Sequence, residues 1–348
     1  MDPVVLLFLT SGLFLGWALG ANDAANVFGT AVGTKMVRWR TAAIVCSVFV
    51  ILGAVISGAG ASHTLSKLGE ISTLSGAFMT ALSAGLSVYA MTKSGLPVST
   101  SQAIVGAIIG WNLFSSNPID STTLTTILFT WLLCPVLSAG IAVPLYQGLK
   151  FVSKRISMHM LMADALTRFG LIFAGAFGAY SLGANNIANV VGVFIPAQPF
   201  PDLMIGTFRF SSTQQLFLAG GLAIALGVFT YSKRVMMTIG DSLGRLTPTT
   251  AFIVVISHSI VLFLFASRGL EAWLASHGLP TIPLVPVSSS QAVVGAIVGI
   301  SILQGASGVR WSVLGKIVFG WMVTPIAAGV ICFIGLFFLQ NVLGLVVV

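Results

Sequence analysis

The 348 residues predict an all-α polytopic membrane protein of two inverted-topology repeats, with broken helices and hairpin or half-helix elements meeting at the bilayer midplane. Three observations predict it. Hydrophobic residues make up 56% of the chain and charged residues only 7%, with a mean hydropathy of +1.03, far from the roughly 25% charged residues of soluble domains. The stretch Leu19-Gly-Ala-Asn-Asp-Ala-Ala-Asn-Val-Phe-Gly29 returns as Leu182-Gly-Ala-Asn-Asn-Ile-Ala-Asn-Val-Val-Gly192. Two more pairs follow in the same order: Pro97-Val-Ser-Thr-Ser-Gln102 with Pro286-Val-Ser-Ser-Ser-Gln291, and Trp131-Leu-Leu-Cys-Pro135 with Trp321-Met-Val-Thr-Pro325.

A crossing helix needs about 20 apolar residues. Stretches of that kind lie near 4–32, 42–60, 71–92, 122–146, 168–195, 214–232, 249–267 and 312–340, with further apolar pieces at 97–114 and 284–304. About ten to twelve crossings are expected. The first stretch lacks a basic leader and contains the first motif, so it is taken as a mature helix and not a cleaved signal peptide. The pieces 71–92 and 97–114 form either two crossings or one re-entrant hairpin. The net charge of +8 is spread over span ends and not gathered on a soluble face, which argues for topology and against nucleic acid as a partner. Placing both termini outside the plasma membrane puts Lys35, Arg38, Arg40, Lys150, Lys154, Arg155, Arg168, Lys233, Arg234, Arg310 and Lys316 on the cytoplasmic side, with Lys67 and Arg209 outside.

The first inverted repeat is placed at 1–146, a cytoplasmic linker at 147–167 and the second inverted repeat at 168–348. An odd number of crossings in each half makes the second enter upside down relative to the first. The motif offsets are 163 (182 − 19), 189 (286 − 97) and 190 (321 − 131), so the second half carries about 26 extra residues between its first two motifs. The stretches 195–213 and 233–248 are their expected location.

A proline followed by Ser-Thr-Ser-Gln or Ser-Ser-Ser-Gln and then a Gly/Ala-spaced apolar run reads as a helix start, where hydroxyls cap and backbone N–H groups remain unpaired. Such an end attracts anions. Ser99, Thr100 and Ser101 with Ser288, Ser289 and Ser290 are therefore candidate anion ligands, assisted by Asn22 and Asn185. Simple capping would explain one copy; duplication beside a second duplicated polar motif points to a ligand. Asp23, Asn26, Gln102, Asn186, Asn189 and Gln291 supply oxygens suited to a hard cation such as sodium, with carbonyls freed at Gly20, Gly29, Gly183 and Gly192 as helpers. The copies differ in one charge, Asp23 against Asn186. His258 could relay protons, but reads rather as a lone buried histidine hydrogen-bonded to a helical neighbour. The cysteines suggest neither a disulfide framework nor a metal site, and Trp131, Pro135, Trp321 and Pro325 read as kinks and interfacial anchors.

The two asparagine motifs, with Gly95-Leu-Pro-Val-Ser-Thr-Ser-Gln102 and its partner, resemble the inorganic phosphate transporter (PiT) family. The resemblance spans both halves and implies secondary phosphate transport by alternating access, driven by sodium in animal and several microbial members and by protons in plant and many bacterial ones. The family's second motif commonly carries an acidic residue where this chain has Asn186, a departure that bears on coupling stoichiometry. Animal members carry a long hydrophilic loop where this chain has only 147–167.

The expected activity is sodium-coupled phosphate symport. A proton-coupled phosphate or metal-phosphate carrier, a sulfate permease and an anion channel are the alternatives. No catalytic motif, and hence no enzyme, is read from the sequence, and no cofactor is expected beyond sodium as coupling ion. Phosphate, sodium ions and the lipid bilayer are the expected partners, with a homodimer as an option.

Overall fold

The computed structural model describes residues 3–94, 98–155, 159–206, 208–242, 247–305 and 310–348. Pro97, the first residue of the first serine motif, lies outside the described residues. The first half comprises α1 (Pro3–Gly33), α2 (Trp39–Ser57), α3 (Ala59–Gly69), α4 (Leu74–Lys93), α5 (Thr100–Ser115) and α6 (Ser121–Arg155). The second comprises α7 (Met160–Val191), a hairpin of β1 (Leu203–Ile205) and β2 (Phe208–Phe210), then α8 (Ser212–Thr230), α9 (Ser232–Ser242), α10 (Pro248–Leu264), α11 (Arg268–Ser276), α12 (Ser289–Leu303) and α13 (Trp311–Asn341). Most of the stretch 147–167 belongs to the last turns of α6 and the first of α7.

Among the described residues seven helices are long and apolar enough to cross a membrane: α1, α2, α4, α6, α7 with the 3-10 turn that follows it, α8 and α13. The bent pair α10–α11, with a 64° angle between its parts, would make an eighth. The expected ten to twelve crossings are thus too many. The difference lies in the pieces at 97–114 and 284–304, whose helices α5 and α12 have 16 and 15 residues. At about 1.5 Å per residue each reaches roughly 24 Å, short of the roughly 30 Å hydrocarbon layer. They are half-helices that start inside the protein.

The two halves repeat the same element order, and their packing is exchanged. A Cβ on Gly20 would meet the Ile224 carbonyl oxygen of α8 at 1.9 Å, and one on Gly183 the Val50 oxygen of α2 at 2.1 Å. A Cβ on Gly227 would meet the Trp17 oxygen and one on Gly53 the Tyr180 oxygen, each at 2.0 Å. The half-helices behave alike: a Cβ on Gly106 of α5 would meet the Pro325 carbonyl oxygen of α13 at 2.1 Å, and one on Gly295 of α12 the Pro135 oxygen of α6 at 2.2 Å. Small residues let helix backbones touch where lipid provides no hydrophobic drive. Each half therefore uses the other half's helices as its own packing surface.

This use of glycine corrects one expectation. α1 runs unbroken through the first motif, and α7 stays helical to Val191 before a 3-10 turn at Gly192–Phe194. Gly20 and Gly183 are close-packing sites within continuous helices, and the carbonyls there remain part of the helical ladder. The breaks lie instead at α10–α11 and at the starts of α5 and α12.

Of the two expected locations for the extra residues of the second half, 195–213 holds one and 233–248 does not hold the other. α9 begins 173 residues after α3 (232 − 59) and α10 begins 174 after α4 (248 − 74), whereas α12 begins 189 after α5 (289 − 100). One insertion is therefore the β1–β2 hairpin, where Arg209 pairs with Asp202. The other is α11 and the extended segment before α12, and not 233–248. On the outside of α6 and α13, Leu132, Val136, Phe319 and Ile326 are exposed, as an acyl-chain environment requires.

Candidate functional site

The motif residues form the buried polar centre. α1 and α7 carry the asparagine motifs through the middle of the molecule; α1 packs on α12 and α7 on α5. Each asparagine helix thus meets the half-helix of the opposite repeat. All fourteen expected site residues are between 0 and 6% exposed, so this conformation is closed to both sides.

The half-helix starts follow capping chemistry. Ser99 Oγ accepts from Gln102 N at 3.2 Å and Ser288 Oγ from Gln291 N at 3.3 Å. These bonds satisfy one orphan amide per helix, while the remaining first-turn amides have no helical acceptor. Thr100 begins α5 and Ser289 begins α12, which puts both hydroxyls at those positive ends.

The side-chain partners show what meets. Ser101 Oγ donates to the Val287 carbonyl at 2.9 Å and accepts from Asn189 Nδ2 at 2.9 Å. It also lies 3.3 Å from Asn186 Oδ1, which accepts from Asn189 Nδ2 at 2.8 Å. Asn185 fastens the segment before α12: its Nδ2 donates to the Val285 carbonyl at 3.0 Å and its Oδ1 accepts from Val287 N at 2.9 Å. Its counterpart Asn22 donates to Thr92 Oγ1 at 2.8 Å. Thr100 stands next to the Asp23 carboxyl, yet its hydroxyl closes no hydrogen bond of acceptable geometry.

Buried polar atoms normally find partners, so those without one are informative. Among the described residues fifteen buried side-chain polar atoms have no hydrogen-bond partner, and eight belong to the two motif pairs. Six of the eight are oxygens: Asn22 Oδ1, Asp23 Oδ1, Thr100 Oγ1, Gln102 Oε1, Asn189 Oδ1 and Gln291 Oε1. An oxygen-rich set with few donors suits a hard cation. Neither motif pair contains Lys or Arg.

Three participants escape a reading of the motifs alone. His258 of α10 reaches Ser289, Nε2 to Oγ 2.9 Å, and not a neighbour in its own helix. Trp321 Nε1 donates to Ser290 Oγ at 3.2 Å, so it serves the centre and not a membrane interface. Thr92 holds Asn22. The duplicated Trp321 carried the only available signal.

A family model described as the phosphate transporter family matches residues 19–332. The chain belongs to that family. A candidate phosphate permease of Methanocaldococcus jannaschii is 29% identical over 328 residues, covering 94% of this chain and 95% of the relative. The sulfate permease CysP of Bacillus subtilis is 28% identical over 335 residues, covering 93% of this chain and 84% of that protein. Among solved structures, one described as the sodium-dependent phosphate transporter superposes with a TM-score of 0.76 at 22% identity, covering 98% of this chain and 100% of the other. That likeness is one of fold, and it spans nearly the whole chain.

Proposed function

We propose that the chain imports inorganic phosphate together with sodium ions across the plasma membrane, as a symporter working by alternating access between two inverted repeats. Family membership and the names of the relatives support phosphate; the structural neighbour, itself described as sodium-dependent, supports sodium. The observation that carries the reading is a closed polar centre with partnerless oxygens, two capped helix starts and no Lys or Arg in either motif pair. A divalent phosphate beside an ionised Asp23 assembles three negative charges in a medium where uncompensated charge is strongly unfavourable. Cations must accompany the anion.

In this proposal Thr100, Ser289 and Ser290, with the first-turn amides of α5 and α12, hold phosphate, while Ser99, Ser288, Asn22 and Asn185 shape the chain around it. Asp23, Asn26, Gln102, Asn186, Asn189 and Gln291 furnish the sodium ligands, with Ser101 tying the Asn186–Asn189 pair to α5. Exchanged packing gives a physical route to alternation, because a rocking motion that opens one repeat's contacts must close the related contacts of the other.

Uptake of labelled phosphate into proteoliposomes, with sodium and proton gradients imposed separately, tests it. A sodium gradient is expected to drive accumulation while a proton gradient alone does not. Accumulation on protons without sodium would replace symport with sodium by symport with protons. The Bacillus subtilis relative motivates one further arm: if sulfate competes on equal terms or is itself accumulated, the substrate assignment fails.

A further inference from the structure

We propose that His258 is a positioning residue for anion selection: its imidazole N–H fixes the Ser289 hydroxyl as a one-way donor to the anion held at the starts of α5 and α12. The inference rests on the phosphate-symport reading above. His258 sits in the apolar run Ile256-Ser-His-Ser-Ile260 of α10, fully buried. Its Nε2 is 2.9 Å from Ser289 Oγ, and its Nδ1 has no partner.

A neutral imidazole has one donor and one acceptor nitrogen. If Nε2 accepted from Ser289, Nδ1–H would be an orphaned buried donor; if Nε2–H donates, only a lone pair on Nδ1 is left over. Buried N–H groups go unpaired more rarely than acceptors do, so the geometry selects the Nε2–H tautomer. Ser289 Oγ then receives a hydrogen bond, and its own proton is free to be given to an oxyanion at the start of α12. The adjacent hydroxyl is treated alike. Trp321 can only donate, and it donates to Ser290 Oγ at 3.2 Å.

The first copy lacks this arrangement. Ser101 gives its proton to the Val287 carbonyl, and Trp131, the counterpart of Trp321, has no partner for its Nε1. The position as far into α4 as His258 is into α10 is Ala84 (74 + 10 against 248 + 10), which has no group to give. A hydroxyl preset as a donor at the start of α12 is suited to a substrate whose oxygens accept. The first copy, whose unpaired oxygens include one of the Asp23 carboxylate, contributes the charged cation ligand.

The test is phosphate uptake by reconstituted His258→Gln and His258→Leu proteins at saturating sodium, with Ser289→Ala alongside. Leu at 258 should raise the phosphate KM about tenfold, the loss expected when one hydrogen bond to a charged acceptor is no longer aimed, with maximal rate largely kept. Gln, whose amide can still donate from a similar place, should restore much of it. If Ser289→Ala raises KM but both His258 variants keep the wild-type value, or lose rate alone, the positioning role is overturned and the site reading stands. If Ser289→Ala keeps the wild-type KM, the site reading fails too. Nitrogen NMR of wild-type protein with labelled histidine gives an independent answer even if the variants do not fold: an Nε2–H signal for His258 supports the proposal, and an Nδ1–H signal contradicts it.

Discussion

In the first half Asn22, Asp23, Thr100 and Gln102 each bury an oxygen that meets no donor, against Asn189 and Gln291 in the second half, where Ser288, Ser289 and Ser290 are all held by named partners. The motif pairs are nearly identical in wording, so the difference comes from two sources. One is the Asp23/Asn186 exchange. The other is residues outside the motifs, His258 and Thr92, which have no equivalent in the opposite half. Duplication specifies where a polar centre forms; unrepeated neighbours set how its side chains are hydrogen-bonded.

The largest effect should come from disturbing what the halves share. Gly20→Ala and Gly183→Ala place a methyl about 2 Å from a facing carbonyl oxygen, and overpacking of this kind costs about 1–3 kcal/mol or more. Both variants should lose folded protein in a detergent melting experiment. Gly140→Ala, in α6 with nothing within 4 Å, should be neutral or stabilising by up to about 1 kcal/mol. Equal melting of Gly20→Ala and Gly140→Ala would contradict the exchanged packing.

A smaller effect should separate the copies. Trp321→Phe removes the indole N–H that meets Ser290 and should weaken phosphate binding by about 0.5–1.5 kcal/mol. Trp131→Phe removes an N–H with no partner and should leave affinity unchanged. Calorimetric titration of phosphate in sodium buffer reads both, and equal losses would remove the distinction drawn between the two arms.

The smallest effect is expected at the β1–β2 hairpin, which has no counterpart in the first half. Arg209 hydrogen-bonds Asp202 and holds its carboxyl below the ordinary carboxylate range, with Ser212 N adding to the effect. A folded-state pKa lowered in this way contributes stability above the unfolded value of about 3.9, lost as pH falls through the folded value. Because the pair is exposed, Arg209→Ala should change melting only slightly at pH 7, leave uptake intact, and converge with wild type in acid. A transport defect in that variant would give the hairpin a role it lacks here.

Much of this architecture was legible in advance. The repeated motifs locate both halves, their matching element order and the polar centre, and the Ser-rich starts identify α5 and α12. Three things were not legible. Gly-Ala-Asn is equally the wording of a helix break and of a close helix contact, and only the facing carbonyls of Ile224 and Val50 decide between them. His258 lies 31 residues from Ser289; between Ser257 and Ser259 in an otherwise apolar helix it carries no periodicity to say which helix it faces. The second insertion was misplaced because 233–248 is polar enough to resemble added loop, yet α9 matches α3 in length.

The central claim is that the first arm binds the coupling cation through Asp23, and the chain contains its own control. Asp23→Asn turns Gly-Ala-Asn-Asp into Gly-Ala-Asn-Asn, the wording at 183–186, with nearly unchanged volume. The sodium dependence of phosphate uptake should be measured in proteoliposomes for wild type and Asp23→Asn. The variant is predicted to fold normally and to lose sodium-driven accumulation, or to need at least about tenfold more sodium, as removal of a charged ligand implies. An unchanged sodium dependence in Asp23→Asn would contradict the account.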